Sequence, residues 1–276
     1  MCGLAGFLGG DIATQEEGIE IARRMAGELL HRGPDDGGAW CDASARIGLG
    51  HRRLSILDLS PAGHQPMLSA GGRFVIAFNG EIYNHLDLRQ ALGADMAWRG
   101  HSDTETLLAC IEAWGLEETL CKSVGMFAVA LWDREQRALT LARDRFGEKP
   151  LYYGWQGAGA RRVFLFASEL KALKAHSAFA ATVDRGALSL LLRHNYIPAP
   201  HSIYSNIAKL LPGSLLTISL AQSEPAIRMY WDVKGIAREC RRAQFKGTPD
   251  DAVDGLESLA RQAVRAQMLA DVPLGA

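Results

Sequence analysis

A cysteine directly follows the initiator methionine of this chain of 276 residues, and that position allows nucleophilic chemistry. Because residue 2 is small, we expect methionine aminopeptidase to remove Met1. Cys2 would then carry a free α-amine beside its own thiol, so that one residue supplies both a nucleophile and a base. Such an amine has a pKa of roughly 7.7–8.0 and is partly unprotonated at neutral pH. By position alone, however, a cysteine near a terminus is more often a small buried hydrophobe.

Three further sites in the sequence could bind a carbonyl, a carboxylate or an ammonium group. Asn79-Gly80 follows a strong strand pattern at residues 74–78; it favours a hairpin turn by default, but an Asn amide and the next N–H can also bind an oxyanion. Arg53 lies in an alternating strand pattern, where a solvated face is the ordinary interpretation and a fork for a carboxylate is the alternative. Ser102 and Glu105 form a capping-box pattern that leaves Asp103 free.

Composition excludes several classes of protein. A chain that is 48% hydrophobic and 22% charged has an ordinary globular balance, and a net charge of -1 gives no basic footprint for nucleic acid. The five cysteines have irregular spacing, which predicts neither a metal site nor a disulfide framework and favours a reducing, cytoplasmic setting. No apolar run approaches the roughly 18–20 residues of a membrane span, and no signal peptide is recognised.

The elements that must position these residues segregate rather than alternate along the chain. Short strands in hairpins, with two or three helices, extend to about Leu173 and predict an α+β class with stacked antiparallel sheets. A strand predicted at residues 3–9 would fix Cys2 at its end.

The pattern changes after residue 184. A hairpin is predicted from residues 214–219 and 226–230, and residues 234–247 are predicted to be a linker or flexible loop with solvated basic residues. Thr248-Pro249 predicts the start of a helix that runs to about Leu269. Its predicted buried face consists of Val253, Leu256, Leu259, Ala260, Ala263 and Val264. Because this is too little for an independent α/β domain, we expect the polypeptide to be truncated, with a strand beginning at about Asp271.

Taken together, the motifs resemble the glutamine-hydrolysing asparagine synthetases, which carry a class II, N-terminal-nucleophile glutamine amidotransferase domain. The matching text is Met-Cys-Gly-Leu-Ala-Gly at 1–6, His-Arg-Gly-Pro-Asp at 31–35, Arg-Leu-Ser-Ile at 53–56, Phe-Asn-Gly-Glu-Ile-Tyr-Asn-His at 78–85, Ser-Asp-Thr-Glu at 102–105, Gly-Met-Phe-Ala at 125–128, Ala-Arg-Asp-Arg-Phe-Gly at 142–147, Lys-Pro-Leu-Tyr-Tyr at 149–153 and Phe-Ala-Ser-Glu-Leu-Lys-Ala-Leu at 166–173. Each motif is weak alone, but their order and spacing are specific.

The resemblance implies a fold and a division into domains. Residues 1–183 would form a glutamine amidotransferase domain with the N-terminal-nucleophile hydrolase fold, a four-layer αββα sandwich of two antiparallel sheets. Residues 184–276 would contain a connecting hairpin and linker and then the first helix of an α/β synthetase domain.

The resemblance also implies a role for each site residue. Cys2 would attack the glutamine carboxamide and form a γ-glutamyl thioester, with the Asn79 side chain and the Gly80 N–H as the oxyanion hole. Arg53 would clamp the α-carboxylate, while Glu81 and Asp103 would bind the α-ammonium group. The same pocket would be lined by the backbone of Leu54, Ser55, Ile56 and Leu57. We assign no role to Arg52 and expect no metal in this site.

The activity implied is hydrolysis of L-glutamine to glutamate and ammonia without a cofactor. In this family the ammonia reaches a synthetase domain that uses ATP and Mg²⁺ to convert aspartate to asparagine. The pyrophosphate-binding motif of that domain would be expected just after Ala276, outside this sequence. Two alternatives stay open: another ammonia acceptor, such as a sugar or polysaccharide, and a non-catalytic fragment. A cytoplasmic enzyme with L-glutamine as its partner is expected, and a homodimer is compatible with the resemblance.

Overall fold

Two six-stranded antiparallel sheets form the body of the protein. They are seen in a computed structural model that describes residues 1–93, 96–222 and 224–273. The first sheet contains β1 (Gly3–Gly9), β2 (Asp36–Asp42), β3 (Ile47–Arg53), β8 (Tyr152–Gln156), β9 (Val163–Ala167) and β10 (Ala208–Lys209), in the order β10-β8-β9-β1-β3-β2. The second contains β4 (Met67–Leu68), β5 (Phe74–Ile82), β6 (Gly125–Asp133), β7 (Ala138–Arg143), β11 (Ser214–Ile218) and β12 (Ala226–Met229), in the order β12-β11-β7-β6-β5-β4.

Helices cover the outer face of each sheet. The helices are α1 (Gln15–Gly27), α2 (His85–Leu92), α3 (Asp103–Trp114), α4 (Leu116–Lys122), α5 (Leu170–Lys174), α6 (Arg185–His194), α7 (Val233–Arg242) and α8 (Pro249–Gln267). Helices α1 and α5 pack on the first sheet, and α2, α3 and α4 pack on the second. The layers therefore follow the order αββα, which confirms the predicted fold class. None of the helices in the described part of the chain is long and apolar enough to cross a membrane.

Alternating side chains build separate cores on the two faces of each sheet. In β1, Leu4 and Leu8 enter the core between the sheets, whereas Phe7 enters the core under α1. In β5, Val75 and Ala77 face the other sheet. The alternate residues Phe74, Ile76 and Phe78 pack in the core with α3. This two-residue period follows from strand geometry and assigns a face to every position along each strand.

Helix α3 begins with half of the predicted capping box. The Ser102 hydroxyl accepts a hydrogen bond from the Glu105 N–H at 3.2 Å. The Glu105 carboxylate does not return to residue 102; it accepts instead from the N–H groups of Arg99 at 2.9 Å and Gly100 at 3.0 Å. The cap places Asp103 at the first position of the helix.

The prediction of a hairpin turn at Asn79-Gly80, which the local sequence favours, is wrong. Strand β5 continues through both residues, with Asn79 opposite Ala128 and Gly80 opposite Phe127 in β6. The pairing of a long neighbouring strand overrides the local turn preference of the dipeptide. Strand β2 begins at Asp36, inside a run rich in Gly and Asp, and it forms a strand because it pairs along its length with β3.

Three predictions for the C-terminal part are also wrong. Residues 234–247 are not all linker, since α7 occupies most of them and is capped by the Asp232 carboxylate, which accepts from the Lys234 N–H at 2.9 Å. Helix α8 starts at Pro249 as predicted, but its apolar stripe is not buried: Leu256 is 69% exposed and Leu259 is 65% exposed. A 3.6-residue period identifies an apolar face but not what covers it. The predicted strand is not formed at residues 271–273, and its residues 274–276 lie outside the described part.

Candidate active site

Polar side chains replace apolar ones at one end of the layer between the sheets. In β3, Ile47 and Leu49 belong to the inter-sheet core, and the next residues on that face are His51 and Arg53. By the same two-residue period, Cys2 lies on the same face of the first sheet as Leu4, which belongs to the inter-sheet core. The nucleophile expected from the sequence and the two basic residues are therefore brought to one end of the first sheet.

The second sheet supplies the opposite wall of this polar end. After Val75 and Ala77, the inner face of β5 continues with Asn79 and Glu81. In β9 of the first sheet, Phe166 is followed on the same face by Ser168, just past the end of the strand. The two sheets thus bring four polar residues from distant parts of the sequence around one pocket: Cys2, Arg53, Asn79 and Glu81.

Nearly all the site residues predicted from the sequence line this pocket. They are Cys2, Arg53, Leu54, Ile56, Leu57, Asn79, Gly80, Glu81 and Asp103. Ser55 is not among the described residues that line it; its N–H instead donates to the Asp35 carboxylate at 2.8 Å. The pocket is also lined by Met1, Gln65, Ser102, Thr104 and Lys149, for which the sequence indicated no role in the site.

The Cys2 thiol is held against the backbone of Leu54. Its Sγ donates to the Leu54 carbonyl at 3.6 Å and accepts from the Leu54 N–H at 3.4 Å. Burial raises the pKa of the Cys2 thiol, against the opposing effect of the Leu54 hydrogen bond. The resting group is therefore a thiol, which needs a base before it can attack.

The backbone around Cys2 is fixed by Arg32, whose side chain is 10% exposed. Arg32 Nε donates to the Cys2 carbonyl at 2.8 Å, and Arg32 Nη1 donates to Glu169 at 2.9 Å. Burial lowers the pKa of the α-amine at Met1, which adjoins this site. A neutral amine is the form that can accept a thiol proton.

The Asn79 amide is locked by Ser168. Asn79 Nδ2 lies 3.4 Å from Ser168 Oγ, while Asn79 Oδ1 is buried without a hydrogen-bond partner. Ser168 Oγ also accepts from the Leu4 N–H at 3.1 Å, which ties it to β1. Turning the amide over would let the Ser168 hydroxyl donate to Oδ1 and direct Nδ2 toward the unpartnered side. That orientation is the one in which Asn79 could serve an oxyanion.

Position 80 requires glycine because strand β6 passes close to it. A Cβ at Gly80 would overlap the Met126 carbonyl oxygen and lie 2.7 Å from Phe127 Cα. The second donor expected of the oxyanion hole therefore belongs to a residue without a side chain, in the middle of the strand pairing between β5 and β6.

Arg53 connects the pocket to the segment that follows β3. Its Nη2 donates to the carbonyls of Leu57 at 2.9 Å and Asp58 at 2.5 Å, and its Nη1 donates to the Ser60 carbonyl at 3.3 Å. These bonds occupy part of the guanidinium and leave its remaining donors for a ligand. Gly63 provides room for this group, since a Cβ there would overlap the guanidinium.

Besides Arg53, the charged side chains that line the pocket are Glu81, Asp103 and Lys149. Burial raises the pKa of Asp103 to about 6, and the charge of Glu81 adds to this effect. Asp103 Oδ2 accepts from the Ile82 N–H at 2.9 Å, so its position is fixed by the end of β5. Burial raises the pKa of Glu81 and lowers that of Lys149, while the attraction between the two opposes both shifts. A ligand ammonium group would stabilise the ionised form of both carboxylates.

Several buried polar residues support the site without having been found from the sequence. His51 Nε2 lies 2.8 Å from the Phe78 carbonyl, and burial lowers the pKa of His51 to about 4, so the neutral ring donates to it. Gln65 Oε1 accepts from the Phe78 N–H at 2.7 Å, and Gln65 Nε2 donates to Thr104 at 3.2 Å. Inner-face alternation would have indicated His51 and Ser168; no sequence signal indicates Gln65.

An αββα sandwich of two antiparallel sheets, with Cys2 at its polar end, is the fold of the amidotransferases with an N-terminal nucleophile. The family described as glutamine amidotransferase domain matches residues 1–231, and the chain belongs to this family.

Similar proteins carry this domain within longer chains. Asparagine synthetase [glutamine-hydrolyzing] 3 of Bacillus subtilis is 36% identical over 282 residues, which are 99% of this chain and 42% of that protein. A putative asparagine synthetase [glutamine-hydrolyzing] 2 of Methanocaldococcus jannaschii is 31% identical over 299 residues, which are 100% of this chain and 54% of that protein. The chain thus spans about half or less of the length of these relatives.

Solved structures agree on the fold. The glutamine phosphoribosylpyrophosphate amidotransferase of B. subtilis, complexed with ADP and GMP, superposes with a TM-score of 0.60 at 18% identity. The superposition covers 83% of this chain and 49% of that one. At this identity the likeness concerns the fold alone.

Proposed function

We propose that this chain hydrolyses L-glutamine to glutamate and ammonia through a thioester on Cys2. The observation that carries the proposal is the position of Cys2 Sγ in a pocket shared with Asn79, Arg53 and Asp103. A nucleophile, an oxyanion donor, a carboxylate partner and an ammonium partner are the groups that this reaction and this substrate require.

The proposed reaction begins after removal of Met1. The freed amine of Cys2 takes the thiol proton, and the thiolate adds to the carbon of the glutamine carboxamide. The oxyanion receives hydrogen bonds from Asn79 Nδ2 and the Gly80 N–H. When the C–N bond breaks, the leaving nitrogen takes the proton from the amine and departs as ammonia. Water, deprotonated by the same amine, then attacks the thioester, releasing glutamate and restoring the thiol.

Substrate recognition follows from the charges in the pocket. The free donors of Arg53 would bind the α-carboxylate, and Asp103 and Glu81 would bind the α-ammonium group. A compound without the amine would leave buried Asp103 unpaired, which is a strong basis for rejection.

We further propose that the ammonia serves ATP-dependent conversion of aspartate to asparagine, as the names of the similar synthetases suggest. Among the described residues, no three of His, Cys, Asp and Glu lie close enough together to hold a metal ion. We therefore assign no ATP or Mg²⁺ step to this part of the chain. All five cysteines are free, which supports a reducing, cytoplasmic setting.

A second candidate is an amidotransferase with another acceptor. A protein named Amidase chry2 from Gibberella zeae is 30% identical over 288 residues, covering 99% of this chain and 40% of that protein. Similarity across this chain thus extends to proteins that are not named asparagine synthetases.

Glutamate release from L-glutamine tests the proposal. We expect release by the wild-type chain, its loss in Cys2→Ala and its retention in Cys240→Ala, a matched change at an exposed free cysteine. Equal release by the wild type and Cys2→Ala would overturn the proposal. Asparagine formation from glutamine, aspartate, ATP and Mg²⁺ then separates the two acceptors, because only the aspartate acceptor yields asparagine.

A further inference from the structure

Asp271 ties the segment after α8 to the outer side of the pocket. Its N–H donates to the Ile56 carbonyl at 2.8 Å, and its Oδ2 accepts from the Asp58 N–H at 2.7 Å. The same Oδ2 lies 2.7 Å from His101 Nε2. Two hydrogen bonds of opposite direction therefore hold residues 56–58 from outside.

The same residues form part of the pocket wall. Ile56 and Leu57 line the pocket, and Arg53 binds the carbonyls of Leu57 and Asp58 from the inner side. Residues 54–58 belong to no helix or strand, so no regular ladder of hydrogen bonds fixes their shape. Cys2 and Asp35 hold Leu54 and Ser55, and residues 56–58 are held by Arg53 on one side and by Asp271 and His101 on the other.

The width of the pocket depends on this segment. The cavity holds about 50 Å³, whereas ligand pockets usually have roughly 300–1,000 Å³. Met1 forms part of the wall, so its removal would open one side. Leu54, Ile56 and Leu57 remain as the outer wall, and their position decides how much room a substrate has.

Hydrogen bonds rather than packing hold Asp271 in place. No residue of α8, which is described along its whole length, is buried, and the side chain of Asp271 is 37% exposed. The hydrogen bond from Asp58, and then that from His101, lowers the pKa of Asp271 and keeps its carboxylate ionised. Asp58 is rigid in turn, because its buried carboxylate accepts from Ser60 Oγ at 2.5 Å and from the His101 N–H at 2.7 Å.

We propose that Asp271 is a positioning residue for glutamine binding, which holds residues 56–58 in the conformation that completes the pocket. It touches no substrate and acts through the carbonyl groups that Arg53 binds. The C-terminal part of the chain thereby influences the affinity of the pocket for glutamine. This inference rests on the proposed function of the same site.

The test is the split between KM and kcat for glutamine in the full chain. For Asp271→Ala we expect KM to rise about tenfold, near the lower end of the usual effect of losing a hydrogen bond to a charged group, with kcat changed less than about twofold. Asp271→Asn keeps an acceptor for the Asp58 N–H and should take an intermediate value. Asp254→Asn, an exposed change on α8, should leave both constants unchanged.

Two further measurements keep the outcomes distinct. Iodoacetamide is a small reagent that needs no glutamine pocket, so its rate of alkylation of Cys2 should be the same in Asp271→Ala and the wild type. In the Cys2→Ala background, Asp271→Ala should raise the Kd for L-glutamine by the same factor as KM. An active wild type with unchanged KM and Kd in Asp271→Ala would overturn the inference and leave the proposed function standing. An inactive wild type that still binds glutamine would overturn the proposed function, while the Kd ratio still tests Asp271.

Discussion

The sulfur of Cys2 lies between the two backbone polar groups of one residue, Leu54, whose carbonyl accepts from the thiol at 3.6 Å and whose N–H donates to it at 3.4 Å. Leu54 is also the first residue after β3 and a wall residue of the pocket. The nucleophile and the wall that would recognise the substrate are therefore in direct contact. A change in the backbone position of Leu54 is therefore expected to move the sulfur.

Activity should depend on a free amine at Cys2. Burial raises the pKa of the Cys2 thiol, so little thiolate forms without a nearby base. We expect chain with a cleavable N-terminal tag to be slower by about a hundredfold or more, the usual contribution of a positioned base. Tag removal that exposes Cys2 should restore the rate of glutamate release. Equal rates before and after cleavage would show that the amine is not the base.

Ser168 should act on catalysis through Asn79. We expect Ser168→Ala to lower kcat by about tenfold, less than the loss of about 10²–10³ expected for Asn79→Ala, because the amide remains but loses its lock. The buried Leu4 N–H also loses its acceptor, which should reduce the free energy of unfolding by about 1–3 kcal/mol.

A double-mutant cycle separates these two effects of Ser168. In the Asn79→Ala background, Ser168→Ala should still reduce stability but should not lower kcat further. A full additional loss of kcat in that background would show that Ser168 does not work through the Asn79 amide.

Gly63 should be needed for the position of Arg53. A Cβ at residue 63 would displace the guanidinium, which is the movable end of a flexible side chain. We expect Gly63→Ala to raise KM for glutamine by about tenfold, as for the loss of one charge-assisted hydrogen bond, with little change in Tm. Gly27→Ala is the matched control, because a Cβ there meets nothing within 4 Å. An unchanged KM in Gly63→Ala would remove Arg53 from the carboxylate role.

The ionised carboxylate of Asp103, which would bind the α-ammonium group of glutamine, should reduce the stability of the fold at neutral pH. Its pKa is raised from the usual 3.8 to about 6, so the folded state binds its proton more tightly than the unfolded state. Stability from this group is therefore present at low pH and lost as the pH rises through about 6, at a cost of about 3 kcal/mol near pH 7. Asp103→Asn should accordingly raise the free energy of unfolding by about 1–3 kcal/mol at pH 7 and change little near pH 4. Denaturant unfolding at the two pH values measures this, with the exposed change Asp87→Asn as control.

Protonation of Asp103 should reduce kcat/KM for glutamine at acidic pH. As the pH falls through about 6, Asp103 becomes protonated in the free enzyme and can no longer pair with the α-ammonium group. The ratio kcat/KM for glutamine should therefore fall below that pH, since it reports groups of the free enzyme. In Asp103→Asn this acidic limb should disappear and kcat/KM should be low throughout. If kcat/KM for Asp103→Asn still fell at acidic pH, the titrating group would be another residue.

Apolar runs made the central strand of the first sheet predictable. The segment that became β1 was located at residues 3–9, because a strand buried on both faces is apolar along its length. Two-residue alternation, extended past the last apolar residue of each strand, leads to Cys2, Arg53 and Asn79. It also leads to His51 and Ser168, which the motifs alone did not single out.

Long-range contacts account for what the sequence could not provide. The local preference of Asn79-Gly80 for a turn loses to its pairing with β6, which lies over forty residues away along the chain. The link between Asp271 and Asp58 joins positions 213 residues apart, and no local pattern marks either end. The apolar stripe of α8 was visible in the sequence, but its exposure depends on what lies next to it.

The central claim is that Cys2 becomes acylated by glutamine, and rapid acid quench followed by intact mass measurement tests it most directly. During turnover, the wild-type chain without Met1 should gain the mass of one γ-glutamyl group, and peptide mapping should place it on residue 2. Cys2→Ala should show no gain, and the adduct should decay once glutamine is consumed. Glutamate release without any adduct on Cys2, or with the adduct on another residue, would contradict the account.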